Sequence, residues 1–442
     1  MKIYGKSSQE SAEAFKTGKA RVAVYGLGKM GLPLATIFAD KGANVTGIDI
    51  SPDVVAGINK GINHIKEEPG LDELVKKNAS EGRLTATTDA ISAAKQADVM
   101  IILVPTLIKD NKPDLSPVYS VAENISKGLK KGDIVVTECT MPPGSTEKLI
   151  PILEKSGLKA GNDFGLGHCP ERTMTGTALR DIEGRYPKIV GAIDEKSRDA
   201  LVGIYSVVNS KGVIPVSGIK AAELVKVFEG VYRDVNIGLA NELERICRKL
   251  SVDYMEVQTA ANTQPFCHLH VPGGVGGHCI PYYPYFVMDK DTILIQTARN
   301  VNDSMPEYII SLTVQGLKQA GKELASSNVL VLGIAFRGGV KETIKSTGLE
   351  VIAALKGKAG GVYAFDPLYS KEETEKFGVS YKKGFQEIDC IIIMADHREY
   401  MGYDWNEICR EMRTPVMVDS RQTILPVKAR DAGLIYFGVG FL

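Results

Sequence analysis

The sequence has no excess of charge of either sign and no long apolar run. Its 442 residues include 53 Lys and Arg and 53 Asp and Glu, so the formal net charge is zero. Proteins that bind nucleic acid or a membrane surface through charge carry a basic excess, so this balance indicates neither partner. The apolar stretches at 99–103 and 391–395 are bounded by Asp and are far shorter than the roughly 18 residues of a membrane-spanning helix. Membrane insertion is therefore excluded.

The sequence also lacks paired cysteines and an apolar leader. The seven cysteines are odd in number and none forms a CxxC pair, so a disulfide framework is not expected. The N-terminal stretch MKIYGKSSQESAEAF has no apolar core of a signal peptide. These features predict a cytoplasmic protein with free thiols and a small-molecule partner.

Strand-like and helix-like segments alternate at both ends of the chain. RVAVY and DVMIILV are strand-like runs near the N-terminus, and NVLVLGIAF begins a second alternation at Asn328. This alternation is typical of parallel α/β sheets. Between them, apolar residues recur at three- and four-residue spacing from about Ser217 to Leu250, which predicts one long amphipathic helix, and a further helix is expected over 300–319.

We therefore predict an α/β protein in which two Rossmann-like, doubly wound parallel-sheet domains are joined by a central helical domain with one long helix. The two ends resemble each other, because RVAVYGLG running to TGID is matched by NVLVLGIAF running to YAFD. The predicted divisions are an N-terminal extension at 1–19, a first sheet domain at 20–215, the helical domain at 216–322 and a second sheet domain at 323–442.

A glycine-rich turn follows the first predicted strand. In Gly26-Leu27-Gly28-Lys29-Met30-Gly31 the first glycine would permit a tight turn, the second would let a pyrophosphate approach the backbone, and the third would let the helix pack on the strand. Asp49 ends the next strand, where a carboxylate binds ribose hydroxyls and repels the 2′-phosphate of NADP. The alternative is that these glycines only tighten a turn. Together the turn and the carboxylate predict an NAD site.

The segment from Val257 to Met288 contains no Asp, Glu, Lys or Arg and is rich in Gly and Pro. A long uncharged loop of this kind usually lines a site. Most lone cysteines are small core residues, but Cys279 lies inside this loop, directly after Gly276, Gly277 and His278. We therefore single out Cys279 as the candidate reactive thiol.

A metal site is the alternative interpretation of this loop. Cysteines and histidines cluster within thirteen residues, at Cys267, His268, His270, His278 and Cys279. Common zinc sites use CxxC or HxxxH pairs, and neither spacing occurs here, so no metal is expected.

Seven segments spread over nearly the whole chain after residue 20 form a specific set. They are GLGKMGLPLA at Gly26, VPT at Val104, ECTMPPGST at Glu138, CPER at Cys169, AELVKVFEGVYRDVNIGLANEL at Ala222, GVGGHCIP at Gly274 and ARNVNDSMP at Ala298. In these segments the chain resembles the UDP-glucose/GDP-mannose dehydrogenase family, and within it the branch that acts on UDP-N-acetylhexosamines. The resemblance implies an NAD-binding domain at 20–215, a helical domain that usually forms a dimer, and a C-terminal UDP-sugar-binding domain.

The resemblance also implies the reaction and its residues. Family members oxidise the C6 alcohol of the sugar to a carboxylate in two hydride transfers to NAD, and a cysteine holds the aldehyde as a thiohemiacetal and then a thioester. Carried over, Cys279 is the nucleophile, Glu171 the general base for hydrolysis, and Lys226 and Thr140 stabilise the oxyanion and order the water. The implied cofactor-binding residues are Gly26, Gly28, Lys29, Met30, Gly31, Asp49, Val104, Pro105, Thr106 and Thr140. The implied substrate-binding residues are Glu171, Arg172, Lys226, Gly276, Gly277, His278, Cys279, Phe336, Arg337 and Arg421.

Several positions near the implied site depart from the family pattern. Gly230 stands where an Asn usually follows the lysine by four residues, and Tyr283 stands where an Asp is common four residues after the cysteine. Thr175 replaces a second carboxylate of the UDP-glucose enzymes. We expect the loss of the Asn and the Asp to affect alcohol oxidation more than the second oxidation.

The C-terminal domain and the uncharged loop also depart from the pattern. The segment FRGGVKETIKST has Arg337 for the usual Lys and Ile344 for the usual Arg, with Lys345 beside it. No Arg or Lys lies between Lys249 and Lys290, where the family often supplies a basic residue to the substrate.

The leading hypothesis is an NAD-dependent 6-dehydrogenase of a UDP-N-acetylhexosamine, with UDP-N-acetyl-D-mannosamine as the expected substrate, that supplies a uronic acid for polysaccharide or glycan. UDP-glucose 6-dehydrogenase is the alternative within the class, and a catalytically impaired protein that binds NAD or a nucleotide sugar is the alternative outside it. We also expect a homodimer built on the long helix, because Val225, Ile237 and Ile246 add apolar area beside its main stripe.

Overall fold

The computed structural model describes residues 2–109 and 112–442, which form two compact units. The first unit runs to Glu229 and includes Tyr285–Val287, and the second contains the remaining residues from Gly230 onwards. The four-part division made from the sequence remains a prediction.

The first unit is built on a sheet of eight strands with helices between them, and it also contains a separate two-stranded hairpin. Its strands are β1 (Arg21–Tyr25), β2 (Asn44–Ile48), β3 (Leu84–Thr87), β4 (Val99–Ile102), the hairpin β5 (Leu107–Lys109) and β6 (Lys112–Asp114), β7 (Ile134–Thr137), β8 (Gly165–His168), β9 (Lys188–Ala192) and β10 (Val213–Pro215). Its helices are α1 (Ser8–Lys16), α2 (Gly31–Asp40), α3 (Pro52–Asn59), α4 (Leu71–Ser80), α5 (Ala90–Gln96), α6 (Ser116–Ser126), α7 (Ile150–Leu153), α8 (Ala178–Arg180) and α9 (Glu195–Val208).

The main sheet of this unit has the strand order β10-β9-β8-β7-β4-β1-β2-β3. Its central strands are buried on both faces because helices cover the sheet from both sides, which is why β4 and β7 read as continuous apolar runs. All neighbours pair in parallel except β8 and β9, which are antiparallel. The antiparallel β8–β9 pair is a feature that the sequence pattern did not indicate.

The second unit is built on a six-stranded parallel sheet in the order β13-β12-β11-β14-β15-β16. Its strands are β11 (Asn328–Leu332), β12 (Gly361–Phe365), β13 (Ser380–Tyr381), β14 (Cys390–Ile393), β15 (Val416–Asp419) and β16 (Ile435–Gly438). The helices from the long one onwards are α10 (Ile219–Lys249), α11 (Tyr254–Ala261), α12 (Ile293–Asp303), α13 (Met305–Gln319), α14 (Thr347–Leu355), α15 (Lys371–Glu375), α16 (Arg398–Met401), α17 (Trp405–Glu411) and α18 (Pro426–Asp431).

The predicted fold class is confirmed, with parallel sheets near both termini and helices between them. The long helix predicted over 217–250 is α10, and the boundary between the units falls inside it. The helix predicted over 300–319 is instead two helices, because Pro306 lies in the first turn of α13, where its missing N–H is tolerated. The uncharged segment begins inside α11 and becomes a loop only after Ala261.

None of the helices in the described part of the chain combines the length and apolarity that a bilayer crossing requires.

Candidate active site

The glycine turn after β1 has the geometry of a dinucleotide-binding turn. Gly26 has a φ of +96°, and a Cβ there would lie 2.5 Å from the carbonyl oxygen of Leu103. A Cβ on Gly31 would lie 1.8 Å from the Gly26 carbonyl oxygen, so only glycine lets α2 approach the strand this closely. At Gly28, by contrast, no atom lies within 4 Å of the Cβ position, which leaves its backbone open to a pyrophosphate. The turn therefore fits NAD.

Asp49 follows β2 and reaches back to this turn. Its Oδ2 accepts a hydrogen bond from the Leu27 N–H at 3.0 Å, and its Oδ1 accepts one from the Ser51 N–H at 2.9 Å. The side chain remains partly exposed, and a carboxylate has about four acceptor sites. Asp49 can therefore hold the turn and bind ribose hydroxyls at the same time.

The other residues predicted for the first unit follow neighbouring strands of the main sheet. The glycine turn follows β1, Val104–Thr106 follow β4, Thr140 follows β7 and Glu171 follows β8. These four strands are adjacent and parallel, so the segments leave one edge of the sheet side by side. The order of the strands reverses between β1 and β4, and such a reversal is where doubly wound sheets bind ligands.

Glu171 rests on a buried polar cluster that sequence reasoning missed. Its N–H donates to the carbonyl oxygen of Glu138 at 3.0 Å, and its carboxylate accepts the Thr173 N–H. The Glu138 carboxylate is fully buried and accepts from Lys188 Nζ at 2.6 Å and from the Tyr205 hydroxyl. Burial, opposed by Lys188, raises the pKa of Glu138. The cluster ties the segments that follow β7 and β8 together.

A carboxylate that sequence reasoning also missed joins the turn after Thr140 to the helix that carries Lys226. Glu223 on α10 accepts the Gly144 N–H at 2.5 Å and the Thr146 N–H at 2.8 Å, which holds the turn after Thr140 on this helix. Lys226 lies three residues after Glu223 and therefore on the same face of the helix, and its side chain is buried. Glu223 and the PPGST turn are 79 and 77 positions apart at their two contacts, so no local sequence signal linked them.

Arg172, Lys29 and Met30 make contacts within the first unit. The Arg172 guanidinium donates to Glu229 at 2.8 Å and to the Pro187 carbonyl at 3.1 Å. Lys29 Nζ lies 3.9 Å from Glu67, and Met30 Sδ accepts the Thr173 hydroxyl at 2.9 Å. Their predicted contacts with ligands remain predictions.

In the second unit, a buried polar network holds the start of the uncharged loop. Asn241 on α10 donates to the Gly273 carbonyl at 3.1 Å and accepts the Gly273 N–H at 2.7 Å. Asn302 donates to Asp234 at 2.9 Å, and Arg299 also pairs with Asp234. Asn241 also donates to Asn302 at 2.9 Å, so these side chains hold α10, α12 and the loop together.

The loop then lies against the segment that follows β11. The Gly277 N–H donates to the Ile344 carbonyl at 2.9 Å. Gly277 has a φ of +87°, and a Cβ there would lie 2.9 Å from the Phe336 ring, while a Cβ on Gly276 would lie 2.6 Å from the Lys345 carbonyl oxygen. Both positions therefore require glycine for close approach to the β11 segment.

Arg421 and Arg337 were both predicted to bind substrate. The Arg421 guanidinium donates to the carbonyl oxygens of Gly274 at 3.1 Å, Phe336 at 2.5 Å and Met394 at 3.1 Å. It therefore joins the uncharged loop to the β11 segment, while Arg337 lies 5.6 Å from the centroid of the Phe336 ring. Substrate contact by either arginine remains a prediction.

The two departures from the family pattern at 230 and 283 are one structural feature. The Tyr283 N–H donates to the Cys279 carbonyl at 3.0 Å, so Tyr283 lies one turn after Cys279. A Cβ on Gly230 would lie 2.3 Å from Tyr283 Cδ2. The ring of Tyr283 is buried against α10 where any side chain at 230 would begin.

His278, next to Cys279, is paired with a carboxylate that was not predicted. Its Nδ1 lies 2.6 Å from Glu342 Oε1. Hydrogen bonds with Cys279 and Glu342, opposed by burial, raise the pKa of His278 to about 10. The imidazole is therefore charged at neutral pH.

Two of the histidines earlier in the loop pack against each other. The rings of His268 and His270 meet edge to face with centroids 5.1 Å apart. Across residues 2–109 and 112–442, no three His, Cys, Asp or Glu side chains are grouped so that they could hold a metal ion.

Comparison with known proteins assigns the chain. The NAD binding domain of the UDP-glucose/GDP-mannose dehydrogenase family matches residues 20–209, its central domain matches 220–304 and its UDP binding domain matches 330–426. A UDP-N-acetyl-D-mannosamine dehydrogenase from Pyrococcus horikoshii is 35% identical over 95% of this chain and 99% of its own length. An NDP-N-acetyl-D-galactosaminuronic acid dehydrogenase from Ralstonia nicotianae is 33% identical over 90% of this chain and 95% of its own.

A solved structure agrees with this assignment. The UDP-D-ManNAc dehydrogenase of Pyrococcus horikoshii superposes with a TM-score of 0.86 at 34% identity, covering 95% of this chain and 99% of that one. The chain therefore belongs to the UDP-glucose/GDP-mannose dehydrogenase family and is an NAD-dependent dehydrogenase of nucleotide sugars.

Proposed function

We propose that this enzyme oxidises the C6 alcohol of a UDP-N-acetylhexosamine, UDP-N-acetyl-D-mannosamine first among them, to the uronic acid. The observation that carries the proposal is the 35% identity, over 95% of the chain, to a relative that bears that name. The reaction needs two hydride transfers, and bound NAD supplies the hydride acceptor.

The proposal assigns one role to each reactive side chain. Cys279 adds to the C6 aldehyde after the first oxidation and holds it until the second has produced a thioester. Glu171 removes a proton from the water that cleaves the thioester. The Lys226 ammonium and the Thr140 hydroxyl stabilise the oxyanion that forms at C6 and order that water. The buried Glu138 and the α10 carboxylate Glu223 support these groups through the contacts described above.

The proposal is tested by a panel of UDP-sugars assayed for NADH formation. UDP-N-acetyl-D-mannosamine should give two NADH per sugar and no free aldehyde, because the thiol holds the intermediate covalently. UDP-N-acetyl-D-galactosamine and UDP-glucose are the comparison substrates. Release of aldehyde with one NADH per sugar would refute the two-step reaction, and binding of NAD and sugar without any NADH would indicate the catalytically impaired alternative.

Replacement of the thiol separates chemistry from binding. Cys279→Ser should abolish acid formation and leave NADH binding unchanged, because the substitution removes the only nucleophile the proposal assigns. Cys267→Ser is the matched control, since Cys267 lies in the same uncharged segment and has no assigned role. Full turnover to uronate by Cys279→Ser would show that another group holds the aldehyde.

A further inference from the structure

The ion pair between His278 and Glu342 has no part in the reaction as assigned so far. His278 Nδ1 and Glu342 Oε1 are 2.6 Å apart, and only 13% of the Glu342 side chain is exposed. His278 directly precedes Cys279 in the chain, and its side chain is hydrogen-bonded to the Cys279 side chain as well as to Glu342. A mostly buried carboxylate on one ring nitrogen fixes the orientation of an imidazole and stabilises its charged form.

The backbone around the pair is held on both sides. The Gly277 N–H donates to the Ile344 carbonyl at 2.9 Å, and the Phe336 N–H donates to the Glu342 carbonyl at 2.9 Å. After the thiol, the Cys279 carbonyl accepts the N–H groups of Tyr282 and Tyr283 at 3.1 and 3.0 Å. The imidazole, the carboxylate and the thiol therefore belong to two loop segments joined by backbone hydrogen bonds.

We propose that His278, oriented and charged by Glu342, keeps Cys279 as a thiolate and is thus a positioning residue for the second oxidation. This inference rests on the proposed function for the role of the thiol. In this arrangement His278 and Glu342 activate the nucleophile Cys279, which would otherwise be mostly protonated. An isolated cysteine has a pKa of about 8.5, so only about 3% of it is thiolate at pH 7.

A thiolate makes the second oxidation balance without a separate base. The sulfur donates an electron pair to the C6 carbon of the aldehyde, the C–S bond forms, and the π electrons of the C=O bond move to the oxygen. The resulting alkoxide re-forms its C=O bond as C6 loses a hydride, for which bound NAD⁺ is the acceptor, and the product is a thioester. No proton is removed in either event, because the sulfur carried none. In the hydrolysis that follows, Glu171 takes one proton from the attacking water, and the second proton passes to solvent as the tetrahedral adduct breaks its C–S bond to give the carboxylate and the thiolate.

The electrostatics of the pair agree with this role. Hydrogen bonds with Cys279 and Glu342 raise the pKa of His278 to about 10, so the imidazole stays positive through the neutral range. A fixed positive charge next to a thiol favours its ionised form. The ionisable groups that act on His278 are the thiol of Cys279 and the carboxylate of Glu342, which also orients the ring.

The test is the pH dependence of alkylation of Cys279 by iodoacetamide, followed by mass spectrometry of the peptide that contains it. In the native enzyme the midpoint of reactivity should lie at least one pH unit below the ordinary value of about 8.5. His278→Asn keeps a polar side chain but removes the charge, so the midpoint should return to about 8.5 or above and the rate at pH 7 should fall about tenfold. Glu342→Gln should shift the midpoint in the same direction by a smaller amount.

Two control variants show whether the effect is specific. His270→Asn changes another histidine of the uncharged loop, and Glu373→Gln removes the carboxylate that pairs with Lys341 at 2.6 Å. Both should leave the midpoint unchanged. An unchanged midpoint in His278→Asn would overturn the proposal, and if that variant loses NADH binding through misfolding, an unchanged midpoint in folded Glu342→Gln overturns it instead.

The alkylation measurement needs neither sugar nor cofactor, so it can fail independently of the proposed function. A shifted midpoint with no UDP-sugar oxidised would leave the activated thiol in place and refute the substrate. Two NADH per sugar with an unshifted midpoint would support the reaction and refute the role of His278.

Discussion

At the scale of single residues, some side chains that are predicted to bind a ligand also hold the backbone of the site. Asp49 accepts the Leu27 and Ser51 N–H groups and is expected to bind ribose hydroxyls. Arg421, predicted to bind substrate, directs its guanidinium to three backbone carbonyls. Substitution of such a residue can change both the stability of the local backbone and the affinity for the ligand. A variant that keeps the backbone hydrogen bonds is therefore needed to measure the effect on affinity alone.

We predict that Asp49→Asn weakens NADH binding and reduces the preference for NADH over NADPH by about tenfold, because the charge that repels a 2′-phosphate is lost. The amide oxygen can still accept one of the two N–H groups that Asp49 binds, those of Leu27 and Ser51, but the NH2 group cannot accept the other, so the melting temperature should fall slightly. Asp49→Ala should lower the melting temperature further, since both N–H groups lose their partner. Fluorescence titration with both nucleotides measures the ratio.

Asp53→Asn is the matched control for this measurement. Asp53 is an exposed carboxylate in the first turn of α3, four residues further along. Its substitution should leave both affinities as they are. If Asp49→Asn binds the two nucleotides as the native enzyme does, the carboxylate does not contact the ribose.

At the scale of elements, α10 and the loop that carries the thiol fit each other at one point. Glycine within a helix usually costs about 0.5–1 kcal/mol relative to alanine, yet Gly230 lies well inside α10. The Tyr283 ring occupies the space in which a side chain at 230 would begin. The two departures from the family pattern therefore depend on each other.

We predict that Gly230→Asn destabilises the protein by about 2 kcal/mol, because overpacking against a buried ring exceeds the gain in helix propensity. In the background of Tyr283→Asp the same change should be tolerated, which gives a coupling energy of about 1–2 kcal/mol between the two sites. Urea unfolding of the native protein, the two single variants and the double variant measures this coupling. Strictly additive effects would mean that the ring can move away at no cost.

The turn that follows β1 in the first sheet has a counterpart after β11 in the second sheet, but the carboxylates that hold the two turns differ in exposure. The Gly26 N–H donates to the Ile48 carbonyl and the Gly333 N–H to the Phe365 carbonyl, each at 2.8 Å. Asp366 then occupies the place in the second sheet that Asp49 occupies in the first, and its Oδ2 accepts the Ile334 and Ala335 N–H groups at 2.9 Å. Asp366 is fully buried, however, and lies 3.2 Å from His397 Nε2, so its turn is filled by protein atoms.

We predict that Asp366→Asn lowers the free energy of unfolding by about 3 kcal/mol at pH 7, because a buried carboxylate loses its charge-assisted hydrogen bonds. Burial acts to raise the pKa of Asp366, but hydrogen bonds from His397 and from backbone N–H groups hold it below its usual value of 3.8. The folded-state pKa is therefore depressed, and the stabilisation is present above the unfolded value and lost as the pH falls through the folded one.

Chemical denaturation of native and Asp366→Asn protein between pH 7 and pH 3 measures this dependence. The difference in unfolding free energy should be largest at neutral pH and should begin to shrink near pH 4, where the carboxyl of the unfolded chain takes up its proton, and it should continue to shrink as the pH falls towards the lower pKa of the folded state. Asp431→Asn, at an exposed position in α18, should show no such difference. If the difference in unfolding free energy between the native protein and Asp366→Asn stayed constant down to pH 3, the charge of Asp366 would not be what stabilises the fold.

At the scale of the whole molecule, the long helix leaves a row of apolar side chains exposed. Their spacings of four and seven residues place them along one face of α10. The residues, with their exposed fractions, are Phe228 (55%), Tyr232 (51%), Leu239 (45%), Ile246 (46%) and Leu250 (69%). A row of this length on one helix is typical of a surface that is covered by another subunit, which is why we propose a homodimer.

We predict that the protein is a dimer at micromolar concentration and that Leu239→Arg shifts it towards the monomer, because a charge in the middle of the row would have to be buried. Light scattering coupled to size-exclusion chromatography measures the mass. Val427→Arg makes a similar change at an exposed apolar position in α18 and should leave the mass unchanged. A monomeric mass for the native protein would contradict the proposal.

The sequence by itself determined the features that depend on local pattern. The inner strands of both sheets, the long helix and the glycine turn were predictable because apolar periodicity and the spacing of glycines are determined by backbone geometry within a few residues. The family similarity then supplied most of the other candidate residues and their roles, which remain predictions.

The tertiary structure decided what depends on residues far apart in the chain. Glu342 pairs with His278 across 64 positions, and Glu223 reaches Gly144 across 79. The antiparallel β8–β9 pair and the fit of Tyr283 against Gly230 likewise depend on which segments meet. No local pattern specifies such pairs, because burial and hydrogen bonding at each member are set by the partner that the fold brings to it.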